Sequence, residues 1–543
     1  PPSINAALPP NIIVTLDDSG SMGWGYMPDN ANFTDCRYYD HRVNRIYFNP
    51  AVTYDPPLRP DLTQFPNASI NNAWVDGFLP TIGTRNLLNS FATSTATKSS
   101  LTNNPSFTWR TSHSPTTGSN NGRAFYCEGY TVRYVADMSP ADQTNFANWF
   151  SYYRTRSLAA RSAMATAFAR LDPKARVAWQ NLITNNFGTG TITRALEVPA
   201  WRTNFFENWL YRAPYSGVTP TRASLIRAGN YLENNRANSE TNPYFDVGYG
   251  RELSCRQSFH VMITDGYTNE SSLSNPNGIG NEDAAGSAIE GGRTLSGDKA
   301  QLYWRQNATS GNLNPRTPDM ADIAMYYWKR DLRPGLANEV PPYFGDNSIN
   351  QVSAGNNEEE IWFNPANDPG TWQRMVNFFV TFGVGGTLGF DTTPACVNNP
   401  AINSNTICKS ARLMRLRRGL DTWPGVNNNA ATSIDDTWHA AVNSRGDFLS
   451  AEDPQELVNS LSSLFDNINR RQAVTGSAGS TAFLRSDTVL FQASYNSGDW
   501  TGNIEGFEID PVTGQQTANP AWTSSAAAQL DARSPASRRI LTN

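Results

Sequence analysis

The sequence predicts an α/β fold: a doubly wound, mostly parallel sheet interrupted by long insertions and followed by an incomplete all-β segment. Three observations predict it. Compact apolar runs of strand length alternate with amphipathic helical stretches, the pattern of a sheet covered on both faces. Two of those runs end directly on an aspartate, at Asp17 and at Asp265. After about Gln472 the helical stripes stop, and short β-like runs separated by Gly, Asn and Asp turns take over.

Taken in order, Asn11–Leu16 (NIIVTL) is a β-branched run that reads as a buried strand feeding a polar turn. Residues 23–138 hold Pro, Asn, Thr and aromatic residues without sustained periodicity. A helix is predicted over Ser157–Leu171, where Leu158, Met164, Phe168 and Leu171 recur near helical spacing. Arg176–Ile183 reads as a strand, Arg222–Leu232 as a helix, and Ser258–Thr264 (SFHVMIT) as a strand running into Asp265-Gly266. Met320–Leu332 reads as a helix and Met375–Val384 as a strand ending in Gly385-Gly386. Asp453-Pro454-Gln455-Glu456 opens a last helix, with Asp as N-cap, Pro at the first position and Glu at the third. Beyond it, Thr488–Ala493 and Ile504–Ile509 are β-like. The domain reading is therefore residues 1–472, with insertions at about 23–150, 185–217, 266–318, 333–370 and 389–435, then residues 473–543 as the start of a second, truncated domain.

Composition excludes several function classes. With 543 residues, 17% charged and a net charge of -5, the chain has no electrostatic footprint for nucleic acid. Its longest apolar stretches, such as Ile12–Leu16 and Phe378–Phe382, fall far short of the ~20 residues that span a bilayer. The start, Pro1-Pro2-Ser3 with no initiator methionine, is what removal of a secretory signal leaves, and a trimmed chain would look the same. The four histidines, His41, His113, His260 and His439, form no HExxH, and neither a GxSxG elbow nor a Walker A loop occurs. The reading is not an enzyme. His260, in mid-strand, reads as a satisfied core histidine.

Five cysteines lack any CxxC spacing. Cys36 with Cys127 and Cys396 with Cys408 each bracket a loop-rich stretch, and these are the disulfide candidates, although sequence cannot fix connectivity. Cys255 is left over, just before an apolar strand. Arg445-Gly446-Asp447 is an integrin-type tripeptide, read here first as a turn. The cluster Trp149-Phe150-Ser151-Tyr152-Tyr153 could meet sugars and is more often core.

The chemistry-bearing segment is Asp17-Asp18-Ser19-Gly20-Ser21, at a strand end. Two further segments arrive in order: Val218-Thr219-Pro220-Thr221 ahead of a helix, and Ile263-Thr264-Asp265-Gly266 after a strand. Together they resemble the metal-ion-dependent adhesion site of von Willebrand factor A-type domains. In a parallel sheet, ligands sit outside the carboxyl ends of the strands, so Asp17 and Asp265 should share a rim. The resemblance implies one divalent cation held by Ser19, Ser21 and Thr219, with Asp17 and Asp265 binding directly or through water. Thr219 is preferred to Thr221, and Asp18 is placed outside the ligand set. Mg²⁺ suits neutral hydroxyls and few carboxylates and keeps open positions, while Ca²⁺ and Mn²⁺ are also admitted.

Beyond that loop, Tyr38–Pro57 (YYDHRVNRIYFNPAVTYDPP), Asn145–Arg156 (NFANWFSYYRTR), Cys255–Asn269 (CRQSFHVMITDGYTN), Ser497–Trp500 (SGDW) and Arg533–Asn543 (ARSPASRRILTN with its preceding Ala532) look like the PilY family of type IV pilus tip adhesins. That resemblance implies an extracellular protein at the pilus tip, carried by minor pilins. It implies binding of a host-cell, glycan or abiotic surface through the metal site. The alternative is a structural tip cap that primes pilus assembly, its metal only stabilising a loop. Family members continue into a β-propeller with a DxDxDG calcium loop, which this sequence lacks. The insertions following the strands that end near Leu16, Thr264 and Gly389 should emerge at the metal-bearing rim and shape a binding face.

Overall fold

A computed structural model describes residues 8–33, 36–88, 106–109, 131–183, 187, 191–234, 240–270, 272–304, 318–345, 358–389, 409–472, 478–479, 489–496 and 501–508, with a few single positions near the carboxyl end. Two units emerge, Pro10–Phe465 and Pro1–Pro9 together with Asp466–Asn543.

The larger unit is built on one six-stranded sheet. Its strands are β1 (Asn11–Leu16), β2 (Arg176–Asn181), β3 (Arg194–Ala195), β4 (Ser258–Thr264), β5 (Val376–Phe382) and β6 (Phe448–Ala451). Their order is β6-β5-β4-β1-β2-β3, with every neighbour parallel except the short edge strand β3. All residues of β1, β4 and β5 are buried, which explains their mostly apolar runs.

Helices α1 (Pro140–Tyr152), α2 (Arg156–Arg170), α3 (Thr221–Leu232), α4 (Met320–Lys329), α5 (Thr432–Asn443) and α6 (Pro454–Gln472) fill the crossovers and the end of the unit. Right-handed crossovers dictate their faces. The chain steps from β1 to β2 in one direction and from β4 through β5 to β6 in the other. That places α2 on one face and α3, α4 and α5 on the opposite one. The last three pack in sequence, with α4 between α3 and α5. Beneath α2, Phe168 meets Phe465 of α6 at 4.8 Å between ring centroids.

Parallel strands also carry a polar ladder through the core. Gln180 of β2 donates to Thr15 Oγ1 (2.9 Å), Thr15 Oγ1 meets His260 Nε2 (2.8 Å), and His260 Nδ1 meets Asn377 Oδ1 (2.9 Å). An amide carbonyl only accepts, so Nδ1 carries the proton and Nε2 accepts from Thr15. Burial holds this imidazole neutral, its pKa lowered to about 4. His260 is thus a satisfied core residue, as its mid-strand place suggested.

Some sequence expectations need correction and others agree with the structure. The described residues of the stretch 23–138 form no long helix or strand, yet they are not a loose loop. Tyr38, Tyr47, Phe48, Phe146 and Trp149 are buried together, with Tyr47 and Trp149 centroids 4.8 Å apart, and the 149–153 cluster belongs to this second core. Helices α1 and α5 and strand β6 were missed. Arg445-Gly446-Asp447 is the turn between α5 and β6, as first read, with Arg445 buried and Gly446 and Asp447 half-buried. Arg445 is fully buried, its guanidinium 3.8 Å from the Tyr303 ring centroid and 4.1 Å from that of Trp328. Cys255 is a free, half-buried thiol. Cys127, Cys396, Cys408 and the side chain of Cys36 lie outside the described residues, as do His113 and residues 497–500 and 535–543.

In the smaller unit the backbone of Val489–Asn496 pairs antiparallel with Thr501–Glu508, and Ala478–Gly479 adds a third short strand. Most other residues after 472 lie outside the described set, including the bulk of the region expected to open a propeller.

Candidate metal centre

The strand order reverses between β1 and β4, because β2 lies on one side of β1 and all later parallel strands on the other. At such a switch point the loops leaving the carboxyl ends diverge and open a crevice. Asp17 follows β1 and Asp265 follows β4, so both stand at that crevice. Asp17 still belongs to the ladder through its N–H, bonded to Ile263 O at 2.9 Å.

From Asp17 the chain turns sharply. Asp17 Oδ1 accepts from the Ser19 amide at 2.7 Å, and Oδ2 accepts from Thr264 Oγ1 at 2.5 Å. Ser19 Oγ and Ser21 Oγ then lie 3.0 Å apart, and Ser21 Oγ donates to Asp265 Oδ1 at 2.9 Å. The 215–219 loop is fastened alongside: Gly20 N–H bonds Gly217 O (3.1 Å) and Ser216 N–H bonds Asp18 O (2.6 Å). Thr219 is held by a bridge to Asn269. A side chain at Gly266 would fill the resulting cradle, since its Cβ would stand 3.5 Å from both Ser21 Oγ and Thr219 Oγ1. Oxygens from three distant segments therefore face one small space.

Two neighbours are turned elsewhere. Thr221 Oγ1 donates to Thr268 Oγ1 at 2.9 Å, which engages it away from the cradle. Asp18 is buried and accepts from the Ile183 amide at 2.9 Å, fastening the end of β2.

The donor set fits a hard divalent cation. An octahedron with metal–oxygen bonds of ~2.1 Å has edges of about 3 Å, the separation shown by Ser19–Ser21 and Ser21–Asp265. Without a cation the same spacings are ordinary hydrogen bonds. Among the described residues no group of three or more His, Cys, Asp or Glu side chains is arranged to hold a metal ion, so any cation here would rely on hydroxyls.

Electrostatics point the same way. Asp17 is buried, and desolvation, with the nearby charge of Asp265 second, pushes its pKa up to about 7. Burial also raises Asp265, although Arg156 opposes the shift. Two carboxyls thus share a dry site where a cation would be favoured.

Arg156, which closes the Asn145–Arg156 segment but had no role assigned from the sequence, completes the surroundings. Its fully buried guanidinium donates from Nη1 to Asp265 Oδ2 (3.0 Å) and Asp265 O (3.3 Å), from Nη2 to Asp29 Oδ1 (2.7 Å) and from Nε to Tyr26 O (2.9 Å). Its place after the N-cap Thr155 was legible, but its partners lie over a hundred positions away. No sequence signal could have named it. Thr264 and Gly266 flank Asp265 and could have been read from the Thr-Asp-Gly string.

No protein-family model and no solved structure matches the chain. Curated proteins do. The chain is 31% identical over 571 residues to the "Type IV pilus biogenesis factor PilY1" of Pseudomonas aeruginosa strain UCBPP-PA14. It is 30% identical over 567 residues to the protein of the same name from strain PAO1. Each alignment takes in 98% of this chain but only 44% and 45% of those relatives, so the chain spans less than half their length. Over nearly all of its own residues, this chain is similar to the PilY1 type IV pilus biogenesis factors.

Proposed function

We propose that the larger unit is a von Willebrand factor A-type adhesion module of an extracellular, PilY-like type IV pilus factor. In this reading Ser19, Ser21 and Thr219 hold one divalent cation, Mg²⁺ first, with Asp17 and Asp265 beside it. The cation then takes an acidic group from a surface or host ligand, while minor pilins carry the protein at the pilus tip. The observation that carries this is the meeting of Ser21, Thr219 and Asp265 above Gly266 at the sheet's switch point. The likeness to type IV pilus biogenesis factors supports the pilus setting. Among the described residues no helix is long and apolar enough to cross a membrane.

A second reading has its own support. Ser19, Thr219 and Asp265 are almost fully enclosed, so a cation there could serve only to tie three segments of a tip cap together. Asp17→Ala separates the two. Adhesion through the cation predicts cells that keep normal pili but lose attachment, whereas a structural cap predicts loss of pili as well. If Asp17→Ala leaves both untouched and the purified chain takes up no Mg²⁺ in calorimetry, the metal reading is wrong.

A further inference from the structure

The cradle's charge balance is unusual because a permanent cation is already built into it. Arg156 is fully buried, and Asp265, its partner at 3.0 Å, is buried as well. A guanidinium is not deprotonated in proteins, and here it is held by the carboxylates of Asp265 and Asp29 together. The group stays charged. Its other partner, Asp29, has a side chain 36% exposed, so water screens Asp29 from the cradle far better than it screens Asp265.

We propose that Arg156 sets the charge of this site: by pairing with Asp265 it leaves the buried cradle with the net charge of one carboxylate, so a bound divalent cation stays electron-deficient and calls for an anionic ligand. The inference rests on the metal reading above. Asp17 and Asp265 contribute two negative charges and Arg156 one positive, which leaves one, since Asp18 is turned to the Ile183 amide and is offset by the nearby Arg227; a divalent cation turns the total to plus one. The Ser19, Ser21 and Thr219 hydroxyls add none. Without Arg156 the same cation would be fully neutralised by its own protein, held more tightly, and less attractive to a partner's carboxylate. Asp29, at the outer end of the guanidinium, tempers the effect, and removing its charge should push the balance the other way.

The test titrates the purified chain with Mg²⁺ alone by calorimetry, then the Mg²⁺-loaded chain with acetate, using Arg156→Gln, Arg156→Lys and Asp29→Asn. Arg156→Gln should bind Mg²⁺ about tenfold more tightly and acetate about tenfold more weakly, as removal of one nearby buried charge dictates. Arg156→Lys should stay close to the parent in both. Asp29→Asn should weaken Mg²⁺ and strengthen acetate, each by about threefold. A residue that merely props the loops would lose both affinities together in Arg156→Gln, and that result overturns the proposal. Should Arg156→Gln fail to fold by circular dichroism, Asp29→Asn decides, and unchanged affinities there overturn it too. A parent chain that binds no Mg²⁺ overturns the metal reading itself, an outcome separate from any difference among variants.

Discussion

Asp17 shows how much one buried side chain can dictate. Its carboxyl is buried, and its pKa of about 7 lies well above the ordinary value of 3.8. A carboxylate so raised favours the folded chain when protonated, and that contribution is lost as pH rises from 3.8 through about 7. In the cation-free protein, neutral pH therefore leaves a charge in a dry site, and a bound cation relieves that cost. Protons and metal compete for the same oxygens. Mg²⁺ affinity should fall about tenfold for each pH unit below about 7 and level off above it, a profile that calorimetry between about pH 5 and 8 measures. A flat profile would place Asp17 outside the site. Asp17, Ser19 and Ser21 were legible in the sequence because they sit on one short turn, and Asp265 because it ends a strand. Arg156 and Asp29 were not, since what they do depends on a guanidinium reaching across the fold.

At the scale of elements, legibility followed length and burial. Strands β1 and β4 were read with their observed limits, because a strand buried on both faces writes a mostly apolar run, broken here only by the ladder residues Thr15 and His260 and by polar ends. Strand β6 was overlooked because four residues with only their ends buried leave almost no pattern. Helix α1 hid inside an aromatic-rich insertion whose apolar residues serve a second core and so escape a single stripe. The turn joining α5 to β6, where Arg445-Gly446-Asp447 was read first as a turn, is fixed by what surrounds it. Gly446 packs against β5 so closely that a Cβ would lie 1.7 Å from Asn377 O, a contact no side chain tolerates. Gly446→Ala should therefore destabilise the larger unit at the upper end of the ~1–3 kcal/mol expected for overpacking, read as a lowered denaturant midpoint. Soluble Arg-Gly-Asp peptide should leave surface attachment unchanged, because Arg445 lies inside the protein. Competition by that peptide would show the turn opening.

For the whole molecule, the sheet's winding explains why the site and its loops coincide. The connections after β1, β2, β4 and β5 all leave from carboxyl ends, so the insertions at about 23–150, 185–217, 266–318 and 389–435 start at the crevice rim. The one at about 333–370 follows α4 and starts at the other end. A sheet tolerates long excursions where its loops already diverge, and a cation bound there, as proposed, would fasten their starting points. Ser19 and Ser21, Thr219 and Asp265 arrive from segments about two hundred and about fifty residues apart, and only the cation would bind all three at once. A ligand present at about a hundred times its dissociation constant stabilises the folded state by about 2.7 kcal/mol. Spread over a unit of this size, that should raise the melting temperature by a few degrees, and chelation should reverse it. The gain belongs to global unfolding of Pro10–Phe465 and not to the hairpin of Val489–Asn496 and Thr501–Glu508. Hydrogen exchange followed by mass spectrometry with and without Mg²⁺ checks this peptide by peptide. Slower exchange should appear in β1, β4 and the 215–221 segment, with the hairpin unchanged. Equal slowing in both units would mean that the cation acts through a site other than the cradle at the switch point.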